Sequence, residues 1–180
     1  MKRIDKTILF SILLALNFPL LGFNQNILTQ DSIKSKLLMA AKEIMDASHT
    51  CALITLDQGG NPRTRMVETI ATDSSFTIWF GTNPRSRKVK QIKADNRVSI
   101  YYADALSSGY VTIQGLAVLV NDSLEKEKHW KEGWKAYYPD KKNDFVLIKI
   151  IPQKLEIISY THGIIGDPKT WEPPSVIFKR

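Results

Sequence analysis

A single hairpin pattern constrains the fold of this chain more than any other feature. Residues 51–56 form an apolar, strand-like run, residues 57–61 form a turn with two glycines, and residues 63–71 form a second strand-like run. Two such runs joined by a short, glycine-containing turn are typical of an antiparallel β-hairpin. The sequence therefore predicts an antiparallel sheet in this part of the chain.

Further strand-like segments follow the hairpin and extend the same pattern. They span residues 76–80, 97–103, 110–120, 145–151 and 155–160, and the last two bracket Pro152. Gly115 marks a bulge or a close backbone approach of the kind that barrels use at corners. Because helices are few and no internal repeat occurs, we predict a mainly β domain with peripheral helices, a small antiparallel barrel of about six strands.

Besides the helix-like run at residues 89–94, two segments carry helical signals. Asp31 is predicted to cap a helix that ends near Ala47, and it precedes apolar residues at helical spacing: Ile33, Leu37, Ala40, Ala41 and Ile44. Asp122, with Glu125 three residues later, predicts a capping box for a second, charged helix that includes Leu124, His129, Trp130 and Trp134. We expect the first helix to cover one open end of the barrel.

Residues 81–88 predict an anion-binding turn between a strand and a helix. They combine hydroxyl groups, an asparagine and three cations with the free backbone N–H groups of a helix start. These groups can converge on one phosphate, since a helix N-terminus carries a partial positive charge. Two other interpretations of the basic residues Arg85, Arg87, Lys88, Lys90 and Lys93 stay open: a solvated helix face, and a weak electrostatic patch for nucleic acid.

Arg65 is the candidate partner of this turn. Alternation along its strand places Arg63, Arg65 and Val67 on one face and Thr64, Met66 and Glu68 on the other. If this strand pairs with residues 76–80 through a turn at 73–75, Arg65 reaches the same anion as Arg87 and Lys88. Alternatively, Glu68 pairs with an arginine and weakens the site.

Together these residues resemble a known family. Arg65-Met66-Val67, Thr82-Asn83 and Ser86-Arg87-Lys88 before a helix look like the FMN-phosphate motif of the pyridoxamine 5'-phosphate oxidase-like, FMN-binding split-barrel superfamily, and the likeness covers residues 42–159. The resemblance implies a six-stranded antiparallel split β-barrel and a homodimer. It also implies that Arg65, Thr82, Ser86, Arg87 and Lys88 hold the FMN phosphate, with the backbone of Met66 and Val67 against the isoalloxazine ring.

The departures from the family pattern narrow the expected function. Ile70 stands where the true oxidase has a substrate-binding lysine, and Gly81 stands where many members have an aromatic residue. The likeness is closer to the general-stress-protein-like members, which implies an FMN-dependent oxidoreductase acting on an unidentified small molecule. A non-catalytic, exported flavin- or anion-binding dimer is the alternative, and haem or a deazaflavin in place of FMN stays open. No catalytic residue is assigned.

The chain begins with the features of a secretory signal peptide. Lys2, Arg3 and Lys6 precede an apolar stretch, residues 8–21, which contains Pro19 and is shorter than a membrane-spanning helix. We therefore predict a signal peptide over residues 1–25, export to the periplasm or beyond, and no stable membrane span. A retained anchor and an amphipathic N-terminal extension are the alternatives.

The rest of the chain divides at the end of the predicted barrel. Residues 31–160 are expected to form the FMN-binding split-barrel domain, and residues 161–180 a C-terminal loop segment that packs on the barrel or on the dimer partner. Trp171 and Phe178 need burial in that segment. The alternative for Trp171 is an aromatic lid over the flavin pocket.

Composition and the remaining reactive residues favour no other chemistry. The chain has 180 residues, 43% of them apolar, and a formal net charge of +7, which fits one globular domain with a moderate basic excess. An exported protein rarely meets nucleic acid, so no nucleic-acid partner is predicted. His49, His129 and His162 are far apart in sequence, and no metal site is predicted. Cys51, the only cysteine, is expected to be buried on a strand, and a thiol activated by His49 is the alternative.

Overall fold

The structure is a computed structural model that describes residues 20–70, 72–105 and 108–179. This part of the chain contains seven antiparallel strands and three α-helices. One compact unit ends at Ser35, and its described residues are helical. The second unit, Lys36–Arg180, contains the sheet. The helices are α1 (Leu20–Ala47), α2 (Arg87–Ala94) and α3 (Ser123–Lys128), with 3-10 turns at Glu132–Ala136 and Tyr160–His162. The strands are β1 (Thr50–Leu56), β2 (Pro62–Glu68), β3 (Ile78–Thr82), β4 (Arg97–Ala103), β5 (Gly109–Val120), β6 (Val146–Ser159) and β7 (Ser175–Ile177).

The sheet curls into a barrel that stays split along one seam. Its strands follow the order β2-β1-β4-β5-β6-β3, and β7 adds to β6. The two end strands meet through a single described bridge, in which the N–H of Ile70 donates to the carbonyl oxygen of Trp79 at 3.0 Å. One bridge does not make a continuous ladder, so the barrel is open along this line. The split-barrel prediction is confirmed.

Local signals located most strands correctly. The predicted hairpin is β1 and β2, with Leu53 opposite Arg65, and its turn places Gly60 at a φ of 77° that glycine adopts without strain. The predicted bulge is present, because the register of β5 against β6 shifts between Gln114 and Gly115. A Cβ on Gly115 would lie 2.6 Å from the carbonyl oxygen of Ile151, so the close approach requires glycine.

Three expectations about the strands differ from the structure. The segments predicted on either side of Pro152 are one strand, β6, because Pro152 pairs at the β5 bulge, where the ladder is already interrupted. The short β7 was not predicted, and it raises the strand count to seven. The strand that follows the turn at residues 73–75 pairs with β6, and the Ile70–Trp79 bridge is its one backbone pairing with the β2 side among the residues that the structure describes.

The helix predicted at residues 89–94 is α2, and the helices predicted near Asp31 and Asp122 are present with different bounds. Asp31 lies inside α1 and does not cap it, because the helix already includes residues from Leu20 onwards. Leu37, Ala40, Ala41 and Ile44 are buried in the barrel core as the stripe predicted, whereas Ile33, in the first unit, is 54% exposed. Asp122 caps α3 by accepting from the N–H groups of Leu124 and Glu125 at 3.0 Å, but α3 ends at Lys128.

The N-terminal prediction is largely outside the described residues. Residues 1–19 are not described, and residues 20–25 belong to α1. The signal peptide and export therefore stay predictions. In the described part of the chain, no helix is both long and apolar enough to span a bilayer.

The C-terminal segment leaves one aromatic residue uncovered. Phe178 packs against Phe76 at 5.8 Å between ring centroids and so adds to the main core. Trp171 is 86% exposed, so the expectation that it is buried in its own domain is wrong. Packing on a second subunit and a lid over the ligand pocket both stay predictions.

A second, aromatic core lies on the outer side of β3. It consists of Trp79, Trp134, Phe145 and Leu147, with Ile70, Val120, Trp130 and Tyr138 packed against it. Alternation along β3 turns Phe80 into the main core and Gly81 towards this aromatic cluster. A Cβ on Gly81 would lie 2.3 Å from Phe145 Cε2 and 2.7 Å from Trp134 Cζ3. The two rings therefore occupy the space that a side chain at position 81 would need.

This packing makes Gly81 indispensable to the cluster. Gly81→Ala forces Phe145 and Trp134 apart, and we expect it to lower the free energy of unfolding by about 2 kcal/mol, as overpacking usually does. Gly133→Ala is the matched control, because a Cβ there meets nothing within 4 Å. Urea unfolding of both variants measures the difference, and equal stabilities would contradict the close packing at Gly81.

Candidate functional site

The turn between β3 and α2 is built from its own polar side chains. Thr82, the last residue of β3, is 3% exposed, and Ser86 stands at the N-cap of α2 without a side-chain capping bond. Asn83 shapes the turn: its Oδ1 accepts from the N–H of Arg85 at 2.9 Å, and its carbonyl oxygen accepts from the N–H of Ser86 at 3.0 Å. The Ser86 hydroxyl and the first N–H groups of α2 are thereby left for another acceptor.

Lys88 folds back over this turn. Its Nζ donates to Thr82 Oγ1 at 2.8 Å, and Thr82 Oγ1 donates to Ser86 Oγ at 3.3 Å. Burial and, secondarily, the charge of Arg65 lower the pKa of Lys88 below the usual lysine value of 10.5. An ammonium group and two hydroxyls therefore lie together at the start of α2.

Arg65 reaches the same place from β2. Its Nη1 donates to Thr55 Oγ1 at 2.6 Å and its Nη2 to Gln91 Oε1 at 2.8 Å, while the Thr55 hydroxyl donates to the same oxygen of Gln91 at 2.7 Å. These bonds hold the guanidinium of β2 against β1 and α2. Arg65 thus approaches Arg87 and Lys88 through the β1–β2 hairpin and α2, without the β2–β3 pairing that the sequence suggested.

Thr55 and Gln91 were not predicted as part of the site. Thr55 is completely buried and is the polar residue on the inward face of an otherwise apolar strand, a signal that sequence reasoning could have used. Gln91 lies one helical turn beyond Arg87 and Lys88, so its position on the same side of α2 was also readable. Their contacts with Arg65 join distant segments and need the folded chain.

The three cations lie together without a carboxylate. Burial and then the charge of Arg87 lower the pKa of Arg65, and Arg65 in turn lowers that of Lys88. Within the described residues, none of the three cations Arg65, Arg87 and Lys88 forms an ion pair. The neighbouring arginines do: each is bound to an aspartate, in the pairs Arg63–Asp57, Arg85–Asp144 and Arg97–Asp95. Among the arginines of this region, only Arg65 and Arg87 are thus left without a carboxylate in the described residues.

The donor set fits a phosphate group. A guanidinium fork, an ammonium, two hydroxyls and the free N–H groups of a helix start are the groups that bind a terminal phosphate in proteins. Arg85 takes no part, since it is exposed and bound to Asp144. The structure therefore brings together five of the predicted residues: Arg65, Thr82, Ser86, Arg87 and Lys88.

Met66 and Val67 lie beside this set on the free edge of the sheet. β2 pairs with β1 on one side, and on its other side the described residues form no ladder. Met66 is 64% exposed, and Val67 packs against the main core. Because backbone groups along an edge strand point alternately to the partner strand and outward, the backbone of Met66, opposite Ala52, faces the free edge, whereas that of Val67 is paired with Cys51.

Other candidate residues do not join the site. Glu68 accepts from Lys131 Nζ at 2.6 Å and from Trp134 Nε1 at 2.9 Å, so its predicted alternative pairing with an arginine is wrong. Cys51 is 1% exposed, and burial raises the pKa of its thiol to about 12, which disfavours a reactive thiolate. Within the described ranges, no three His, Cys, Asp or Glu residues are placed to hold a metal ion.

Solved structures share this fold. General stress protein 26 from Bacillus anthracis is 22% identical with a TM-score of 0.63, covering 79% of this chain and 98% of its own. A protein related to general stress protein 26, of the pyridoxinephosphate oxidase family, from Clostridium acetobutylicum is 20% identical with a TM-score of 0.64, covering 80% and 94%. A putative pyridoxamine 5'-phosphate oxidase from Listeria innocua is 23% identical with a TM-score of 0.56, covering 68% and 98%.

A family model supplies the assignment. Comparison with curated proteins finds no match. The model described as pyridoxamine 5'-phosphate oxidase like matches residues 38–162, which is most of the chain and includes every residue of the candidate phosphate site. The chain belongs to the pyridoxamine 5'-phosphate oxidase-like family.

Proposed function

We propose that this protein binds FMN by its phosphate and serves as a flavin-dependent oxidoreductase for a small molecule. The observation that carries the proposal is the cluster of Arg65, Arg87 and Lys88 around Thr82 and Ser86 without a carboxylate partner. When bound, the flavin supplies the redox chemistry. The chain's own residues hold the phosphate and present the β2 edge to the ring.

The electrostatics of the ligand-free site favour a dianionic group. Burial and then the charge of Arg87 lower the pKa of Arg65, and burial and then the charge of Arg65 lower the pKa of Lys88, which means that their charged forms are destabilised in the folded protein. A phosphate between them removes this repulsion and satisfies the free N–H groups of α2. A neutral ligand does neither, so the phosphate end of the flavin is the part that the site selects.

We also propose that a second copy of the chain covers the outer face next to the β2 edge. Met66 pairs across the sheet with Ala52, and Ala52 with Tyr101, which places three apolar side chains in one row. Met66 is 64% exposed and Tyr101 41% exposed. Covering this row buries apolar area and brings the partner close to the flavin ring that we place along β2.

A non-catalytic flavin carrier is the second candidate. The observation in its favour is that Glu68, the carboxylate on β2, is already bound to Lys131 and Trp134. It is therefore not free to move a proton at the ring. An enzyme of this kind would draw the proton from its substrate or from water.

Removing the cations of the phosphate site should weaken the binding of FMN and leave the binding of riboflavin unchanged. Lys88→Ala and Arg65→Ala each lose charge-assisted bonds, so we expect FMN affinity to fall about tenfold or more while riboflavin affinity stays the same. Arg85→Ala is the matched control, because Arg85 lies in the same turn but binds Asp144. Flavin fluorescence titration measures all three, and parallel losses for FMN and riboflavin would refute the phosphate role.

The proposed dimer should depend on the Tyr101 row. Tyr101→Lys places a charge in the covered face, and we expect it to raise the dimer dissociation constant by about tenfold or more. Val118→Lys is the control, since Val118 has nearly the same exposure, 40%, but lies on β5, away from the row of Met66, Ala52 and Tyr101. Sedimentation velocity over a concentration series decides the point, and a monomeric wild-type protein would end the proposal.

Reduction of the bound flavin separates the two functional candidates. We expect reduced nicotinamide to bleach the flavin absorbance of the purified, FMN-loaded protein under anaerobic conditions, and a reducible substrate to restore it. Dithionite, which reduces any accessible flavin, is the positive control. Bleaching by dithionite but by neither NADH nor NADPH would favour the carrier.

A further inference from the structure

We propose that the phosphate site continues into an adjoining cleft that binds a second phosphate and its nucleoside. The preferred flavin would then be flavin adenine dinucleotide, with FMN as the shorter ligand of the same site. This inference rests on the proposed flavin binding and adds the class of cofactor to it. The cleft lies between the β1–β2 turn and α2.

The cleft has the size and position that this role requires. Its volume is about 420 Å³, within the range of pockets that hold nucleotide-sized ligands. Its walls include Gln58, Gly59 and Asn61 of the turn, and Arg87, Lys90 and Gln91 of α2. Gln91 also accepts from Arg65, so the cleft and the phosphate site share a wall. The part of a ligand that continues beyond the first phosphate in this direction enters the cleft directly.

The cleft also carries cations beyond those near Thr82. Arg87 and Lys90 are three residues apart on α2, which places them on neighbouring positions of one helix face. Both are exposed, and in the described part of the chain neither is bound to a carboxylate. Lys88 and Arg65 already face the first phosphate. Arg87 belongs to the first phosphate set and also lines the cleft, so it stands where the two meet, and Lys90 is the cation available to a second phosphate.

The single acidic residue of the wall does not cancel this charge. Asp57 accepts from the N–H groups of Gly59 and Asn61 at 2.9 and 3.0 Å, and it forms an ion pair with Arg63 at 2.8 Å. Hydrogen bonding, first from the Asn61 backbone, lowers the pKa of Asp57. Its carboxylate is thus held by the turn that it stabilises, and it leaves the two cations of α2 unpaired.

A phosphomonoester does not account for the whole arrangement. One terminal phosphate carries about two negative charges, whereas Arg65 and Lys88 at the first site and Arg87 and Lys90 on the wall of the adjoining cleft present four positive ones. A diphosphate supplies a charged group to each of the two places, and the amide of Gln58 offers donors and an acceptor to the attached nucleoside. The second phosphate and nucleoside are therefore the chemistry that fits the cleft.

Lys90 is the residue that tells the two ligands apart. We expect Lys90→Ala to weaken binding of flavin adenine dinucleotide by about tenfold and to change FMN affinity by less than about twofold. Lys93→Ala is the matched control, because Lys93 lies on the same helix but faces a different cleft. Isothermal titration calorimetry of the full-length wild-type protein and both variants with both flavins measures the six affinities.

The outcomes distinguish this inference from the proposed function. Equal losses for both flavins in Lys90→Ala, or a wild-type protein that binds the dinucleotide more weakly than FMN, overturn the second phosphate site. Inorganic pyrophosphate and orthophosphate are titrated into the ligand-free protein as independent probes. If no flavin binds but pyrophosphate binds more tightly than orthophosphate and depends on Lys90, the flavin proposal fails and the cleft remains a diphosphate site. If neither probe depends on Lys90, the cleft has no such role.

Discussion

Three positive charges held close together without a counter-charge are the constraint on which the rest of this structure depends. Such an arrangement is unfavourable unless neutral hydrogen-bond partners fix each side chain and a ligand supplies the missing charge. Thr82 accepts from Lys88, and Thr55 and Gln91 accept from Arg65. The hairpin, the end of β3 and the start of α2 meet at this point, so the barrel serves as the frame that holds the charges in place.

Sequence patterns predicted what is local and missed what joins distant segments. The hairpin, the bulge at Gly115 and the cap at Asp122 each depend on a few neighbouring residues, and all three are present. The continuity of β6 through Pro152 was not readable, because it depends on where the bulge of another strand falls. The cationic residues were predicted because they follow a local motif. Thr55 and Gln91, which orient Arg65, were not predicted, because their contacts join distant segments.

The aromatic cluster shows how one departure from a family pattern fits the packing around it. Glycine at position 81 leaves room for Phe145 and Trp134, and Trp134 also donates to Glu68 on β2. One ring therefore fills the outer side of β3 and fixes a carboxylate beside the β2 edge. A change at Gly81 acts on packing first and reaches the neighbouring strand through that hydrogen bond.

The free edge of β2 has a consequence for the behaviour of the protein at high concentration. An exposed strand edge is a template on which further chains can add without limit. β2 begins at Pro62, which has no N–H to offer, and carries Arg65, which has no carboxylate partner among the described residues and whose charge disfavours a second identical strand laid beside it. Growth into fibrils is thereby discouraged, while a single symmetric contact through the outer face remains open.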